Sequence, residues 1–411
     1  MSVVIAAIPL MLTTAMKSYC YTSLGYADAF TALHEDMKAH YALQGWKETD
    51  FNAKYEEYIG LFEEAEQNDD KTAYILTMLS YLASYQDGHV QMGDVYEIIG
   101  IGSTRNIQDA YAQIYKNYYG MTLLRLDSGE YVAANVEEDS SADRAGIKNG
   151  TVITKWNGAD IAEQLAQMKY IIPVNCSRFA DTENIERFKP FCLSCMGEKQ
   201  IEVEFLDEQK KRKSVTLASM GNGYKYLYNT IGLFLQKDKA KEADISYDTL
   251  ENHVGYLQIK AMGDDYDGIR SEIEGYIAEM KKEQISSLII DVRNNEGGED
   301  DAGVVIAEQF AKEDLFYNMA KLPQVSVVGI QGTNGSFGSV DGFDTMPEGM
   351  MVTYPSIACL DEDGGIMIDS KYQGTGGIKP EVVIPVNQEA VEKIFEEDYD
   401  YELEYLLKKI I

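Results

Sequence analysis

Apolar positions recur along this chain at two different periods. Between residues 24 and 86 the spacing is helical: Ala27, Phe30, Leu33, Met37 and Tyr41 share one face, and Asp70 opens a run of helix formers from Thr72 to Tyr85. That run delivers the turn Asp87-Gly88-His89-Val90. From about residue 118 the period becomes that of strands, with Met121, Leu123 and Leu124, then Tyr131 to Val136. Ser140 to Gly146 reads as a short helix with a glycine stop. Thr151 to Ile153 reads as a strand, and Asn157-Gly158 as a hairpin turn. Residues 165–198 look like a loop-rich insertion, Ile201 to Phe205 and Arg212 to Leu217 like a closing hairpin, and 219–248 like a hinge. After the hinge, His253 to Lys260 is a strand, Ile269, Ile273, Tyr276, Ile277 and Met280 form one helix face, and Ser287 to Val292 is the next strand. A strand–helix–strand unit of this length favours a parallel pair with a crossover helix.

The second of those strands ends in Asp291-Val292-Arg293-Asn294-Asn295-Glu296-Gly297-Gly298. Two glycines after a buried strand allow a tight loop whose backbone N–H groups point outward, the usual way to build an anion or oxyanion pocket. The turn falls at the carboxyl edge, where such sheets bind ligands. Arg293 and Asn294 suit holding the loop's shape.

Composition narrows the field. At 411 residues the chain has room for two or three domains and a real core. With 36 basic side chains against 68 acidic ones the formal charge is −32, a poor match to nucleic acid or an anionic membrane. No run reaches the roughly 18 apolar residues of an integral membrane span. Val3 to Leu12 resembles a signal-peptide core but has no basic segment before it, so export stays open. Cys192-Leu193-Ser194-Cys195 is a lone CxxC with no second pair and no nearby histidine, which fits a buried thiol pair or disulfide better than zinc. The carboxylates show no metal-ligand spacing, so no metal and no cofactor is expected. His34, His40 and His253 need only surface or packing roles.

Several of these segments carry a resemblance. Ser141-Ala142-Asp143-Arg144-Ala145-Gly146-Ile147, with the strand and Asn-Gly turn after it, resembles the centre of a PDZ domain, with Ser141 where the family usually has proline. Asp87-Gly88-His89-Val90, the PDZ-like stretch, the Asp291–Gly298 turn, Gly329 to Val340 and Gly377 to Val382 then follow in order. Together they resemble the C-terminal processing, or tail-specific, serine peptidases, whose relatives include the tricorn protease core. The resemblance implies an α/β and α+β multidomain fold. Its parts are an N-terminal helical region over 1–95, a PDZ-like domain over 117–219, and a crotonase- or ClpP-like α/β peptidase core over 245–411.

For the site, the resemblance implies His89 as general base and Gly297 and Gly298 as the oxyanion turn. Ser336 stands where one branch of the family has a catalytic lysine, which leaves the branch whose base is a histidine. A neutral imidazole, titrating at about pH 6.5, can accept a serine proton. No serine segment of the family's kind exists, however. Thr333 follows Gly298 by only 35 positions. A helix over Ala302 to Phe310 and a strand over Gln324 to Ile330 leave Ala311 to Pro323, too short for the extra strand and helix that would carry a nucleophile. Ser336 is the substitute nucleophile candidate, set against a loop-capping hydroxyl. Gly120, Met121, Thr122 and Leu123 sit where a PDZ domain has its carboxylate-binding loop.

The implied function is that of a bacterial serine-type peptidase acting on peptides or proteins, C-termini favoured, with turnover impaired by the missing nucleophile. The alternative is a dead pseudo-peptidase that holds peptide C-termini through its PDZ-like groove, or an incomplete gene product. The resemblance leans towards the cell envelope or secretion.

Overall fold

The computed structural model describes residues 19–94, 105–168, 182–236, 243–295, 297–310, 325–332, 338–340, 342–358, 378–396 and 398–410. The N-terminal region folds as α1 (Tyr26–His40), α2 (Phe51–Gln67) and α3 (Lys71–Ala83). Asp50 and Asp70 start the second and third helices, each side chain accepting the N–H of the residue three positions on. Their apolar faces meet in an aromatic core, where Phe30 stacks on Phe62 at 4.3 Å and meets Tyr81 edge-on at 5.0 Å. His34 lies in this core, 3.0 Å from the Tyr81 hydroxyl; His40 and His253 each bond a backbone carbonyl.

Next come β1 (Gln91–Asp94), α4 (Asn106–Ile114), β2 (Thr122–Arg125), β3 (Tyr131–Ala134), α5 (Ser141–Arg144), β4 (Ile153–Trp156), β5 (Ala159–Asp160), α6 (Ile161–Gln167), α7 (Thr182–Ser194), β6 (Gln200–Leu206) and β7 (Arg212–Ala218). β2 and β3 pair antiparallel, and β5-β4-β6-β7 form a second sheet bridged to the first through Val132 and Val152. Asn157 and Gly158, both at positive φ, make the β4–β5 turn. A separate core from Tyr119 to Leu217, with Trp156 at its centre, fills this unit.

The chain continues through α8 (Gly223–Phe234), β8 (Ile245–Leu250), β9 (Val254–Ile259), α9 (Tyr266–Glu283), β10 (Ser287–Asp291) and α10 (Asp300–Phe310). β9 is buried along its whole length between antiparallel β8 and parallel β10, with α9 as the crossover. Short strands follow: β11 (Val328–Gly329), β12 (Ser339–Val340), β13 (Asp344–Met346), β14 (Met350–Thr353), β15 (Pro355–Ile357) and β16 (Val382–Val383). The last elements are α11 (Gln388–Ile394) and α12 (Tyr401–Ile410). One face of β8–β10 packs on α9 and α10, while Val254, Tyr256 and Ile289 on the other meet Leu403, Leu406 and Leu407 of α12.

The helical region 24–86 consists of three helices. Two sequence expectations change. The loop-rich insertion contains α7, whose Phe188, Phe191 and Cys192 are fully buried, as is Cys195 just after it. The hinge holds α8 and β8, because Leu227, Ile231 and Phe234 form an apolar stripe packed on α7. The helices of the N-terminal region also share one core with Met346, Met350, Val352 and the segment Ile384–Ile394, so residues far apart in sequence close a single interior. Cys192 and Cys195 are free thiols, burial pushing Cys192 up to about 12. Among the described residues no helix is long and apolar enough to cross a membrane.

Tyr19–Tyr21 runs beside β13 as a parallel strap, with Tyr21 N donating to Thr345 O at 2.8 Å and Thr345 N to Tyr19 O at 2.9 Å. Tyr19 N donates to Asp344 Oδ1 at 3.2 Å, but Asp344 Oδ2 is buried with no partner among the described residues. Burial, with Asp36 nearby, lifts the Asp344 carboxyl to about 7. A carboxyl raised in the fold contributes its stability below its unfolded pKa, and the contribution disappears as pH rises through 7. Asp344→Asn is therefore expected to gain up to about 4 kcal/mol over wild type at pH 8 and little at pH 4, read by urea unfolding. An equal difference at both pH values would refute it.

Candidate active site

α3 stops at Ala83, and the chain turns through Ser84, Tyr85 and Gln86 into Asp87-Gly88-His89. Gln86 sits at φ +48°, a left-handed conformation costly for a side-chain-bearing residue. Asp87 is fully buried. Its Oδ2 accepts the Tyr41 hydroxyl at 2.7 Å and its Oδ1 accepts the His89 N–H at 2.9 Å, so this carboxylate orients the turn. Burial and then the Asp87 charge hold the Tyr41 phenol protonated far above its ordinary range. His89 is half-buried, and its Nδ1 is buried with no hydrogen-bond partner among the described residues.

At the carboxyl end of β10, a second, separate cluster forms around Asp291 and Arg293. Arg293 donates to both Asp291 oxygens and, at 2.7 Å each, to Asp400 Oδ1 and Oδ2. It also reaches Gln236 Oε1 at 3.1 Å, and Tyr256 donates to Asp291 Oδ2. Burial opposes the charge on Arg293, but the two carboxylates outweigh it and keep the guanidinium ionised. Burial likewise opposes the Asp291 charge and Arg293 again prevails, holding this carboxyl below its usual range. Glu402, beside them, is pushed up by burial. Asp400 also caps α12 through Leu403 N.

Two side-chain amides shape the turn through three hydrogen bonds. Asn294 Nδ2 donates to Leu235 O at 3.1 Å, and Asn295 Nδ2 to Ile259 O at 2.9 Å. Asn295 Oδ1 accepts the Gly297 N–H at 2.8 Å, so that donor is already engaged. Gly298 is the centre of a parallel bridge to Met262, with Met262 N donating to Gly297 O and Glu299 N to Met262 O. In that pattern the central residue's own N–H and C=O point away from the partner strand. The Gly298 N–H thus has no partner among the described residues and faces outward, and the donor reading narrows from two glycines to one.

The structure does not unite all the residues singled out in the sequence. No hydrogen bond among the described residues joins His89 to Gly297 or Gly298, and no serine hydroxyl bonds His89. Ser336 and the stretch 311–323 lie outside the described residues. Gly120, Met121, Thr122 and Leu123 are all buried. Gly120 abuts Ser140, its carbonyl accepts Glu137 N at 2.9 Å, and α7 packs along β2. Gln236, Tyr256 and Asp400 went unseen in the sequence, and Tyr41 entered it only as part of an apolar helix face. Asp400 could have been found as a helix cap ahead of Tyr401–Ile410, but not as the partner of Arg293.

Residues 253–321 match the profile of Peptidase family S41. This segment contains β9, α9, β10 and the glycine turn, so the resemblance to a peptidase stands on the part of the chain with the most specific pattern. No curated protein matches the chain. Mature CPAF complexed with lactacystin is similar at 12% identity, covering 93% of this chain and 97% of that chain with a TM-score of 0.53. Mature CPAF alone gives 12% identity, 90% and 96% coverage, and a TM-score of 0.51. The photosystem II D1 C-terminal processing protease aligns over 92% of this chain and 99% of that chain at 11% identity, with a TM-score of 0.33. At such identities the likeness to CPAF is one of fold: a mixed helix and sheet multidomain architecture.

Proposed function

We propose that this chain is a serine-type peptidase of the C-terminal processing kind by descent, which engages peptide or protein segments at the Gly298 turn and hydrolyses them feebly or not at all. The observation that carries the reading is the outward Gly298 N–H at the carboxyl end of a parallel strand, inside the segment that matches Peptidase family S41. A peptide carbonyl placed there would accept that N–H, and its oxygen would gain stabilisation as charge developed on it. His89 is the candidate base. Among the described residues its Nδ1 has no hydrogen-bond partner to fix the tautomer and no serine hydroxyl is bonded to the ring, which is the ground for expecting weak turnover.

Capture of peptide C-termini at Gly120–Leu123 finds less support, because a peptide could add to β2 only after α7 had moved away. A fluorophosphonate probe tests the peptidase reading. The expected result is no serine label beyond that of the His89→Ala variant, with turnover of a fluorogenic peptide at most the ~10³–10⁴-fold over water that binding and an oxyanion donor alone sustain. Stoichiometric labelling of a serine, lost in His89→Ala, would show a competent enzyme instead.

A further inference from the structure

The turn that carries His89 is held from the side by the α1–α2 region. Lys54 Nζ, on α2, donates to Ser84 O at 2.9 Å and to Ser84 Oγ at 2.7 Å, and lies 4.7 Å from the centre of the Tyr85 ring. Lys47 Nζ, on the preceding loop, donates to Gln86 O at 2.6 Å. With Tyr41 on Asp87, consecutive positions of the turn are gripped by three side chains from one region. The left-handed Gln86 between them is a conformation that persists only where its surroundings impose it. A cavity of about 330 Å³ opens beside the two lysines.

Lys54 makes no ion pair among the described residues; its partners are a carbonyl, a hydroxyl and a ring. We propose that Lys54 and Lys47 are positioning residues whose charged ammonium groups clamp the Ser84–Gln86 turn and so set the orientation of His89, and that alkaline pH releases this clamp. An ammonium donates charge-assisted hydrogen bonds; a neutral amine keeps donors but loses the charge that makes them strong. The groups facing Lys54 are Asp50 and Glu57 from α2 and its cap, Glu48 and Lys47 from the loop, and Tyr85 from the end of α3. Burial lowers Lys54 to about 8 against the pull of Glu57 and Asp50, and lowers Lys47 against that of Asp87. The catalytic meaning of the clamp rests on His89 being the base. Its existence does not.

Amide hydrogen exchange of the full chain tests it. The His89 N–H and the Val90 N–H, bonded to Asp87 Oδ1 and Asp87 O, report the turn directly. Between pH 6 and pH 9.5, after correction for the intrinsic rate, wild-type protection at these two amides should fall about tenfold with a midpoint near 8. Lys54→Arg, which stays charged, should hold protection across the range. Lys54→Met should be low throughout, with the β6–β7 amides unchanged. A flat wild-type profile, or the same step in Lys54→Arg, overturns the proposal. Should Lys54→Met lose protection everywhere, wild type against Lys54→Arg decides alone. Exchange is read without substrate, so a failed clamp leaves the peptidase reading intact, and a failed probe experiment leaves the clamp intact.

Discussion

Arg293→Met lowers the free energy of unfolding by about 3–5 kcal/mol at neutral pH, the range for breaking a buried pair by removing one partner. Arg293 is the common counter-charge of two carboxylates, Asp291 and Asp400, whose side chains are only 4% and 15% exposed. Methionine fills the volume but leaves both acids desolvated and unpaired. The loss then has a pH signature. Paired to Arg293, Asp291 is held below its usual range, so in wild type its contribution is present above the unfolded pKa and fades as pH falls through the folded one. In the variant the acids prefer to be neutral, and the difference from wild type narrows on acidification. Urea unfolding of Arg293→Met and of the double variant with Asp400→Asn measures this. A single-variant loss under about 1 kcal/mol, or no recovery in the double variant, would show that the cluster is solvated rather than buried.

The two glycines of the turn should respond very differently to one added methyl group. A Cβ on Gly298 would stand 1.9 Å from Met262 O, at a φ of +136° that side-chain-bearing residues avoid. Either the bridge to Met262 parts or the turn is rebuilt, at a cost of about 3 kcal/mol or more from strain and the lost pairing together. Gly297, at φ +90°, has open space around its missing Cβ, so Gly297→Ala should cost only the ~1–2 kcal/mol of the left-handed conformation. Chemical denaturation gives the two numbers, and exchange at the Met262 and Glu299 amides shows whether the bridge has opened. Equal costs would mean that the close approach to Met262 is not what requires glycine at 298.

Where local chemistry decides the backbone, the elements were legible. The capped helix after Asp70, the Asn157-Gly158 hairpin, and the β9–α9–β10 unit all follow from spacing and turn residues within a few positions. α8 was not, because tyrosine, threonine and glycine dominate Gly223–Phe234 and none favours helix on its own. Its conformation is set by burying Leu227, Ile231 and Phe234 against α7. α7 was missed for a similar reason, with Pro190 in its interior and a buried face made by Phe188 and Phe191.

The candidate site divides the same way. The chain by itself determined the Asp87-Gly88-His89 turn at a helix end and the glycine turn at a strand end, because both are written in adjacent residues and need only local backbone freedom. Which of the two glycines offers a donor, and that Arg293 is matched by Asp400 across 107 positions, are products of the tertiary structure. So are the clasp of Tyr41, Lys47 and Lys54 around the His89 turn and the packing of α7 on β2. The physical reason is that a hydrogen bond or a burial between distant segments exists only once the core has brought them together. Nothing in the spacing of residues says which polar group will meet which, or which N–H will be left facing outward.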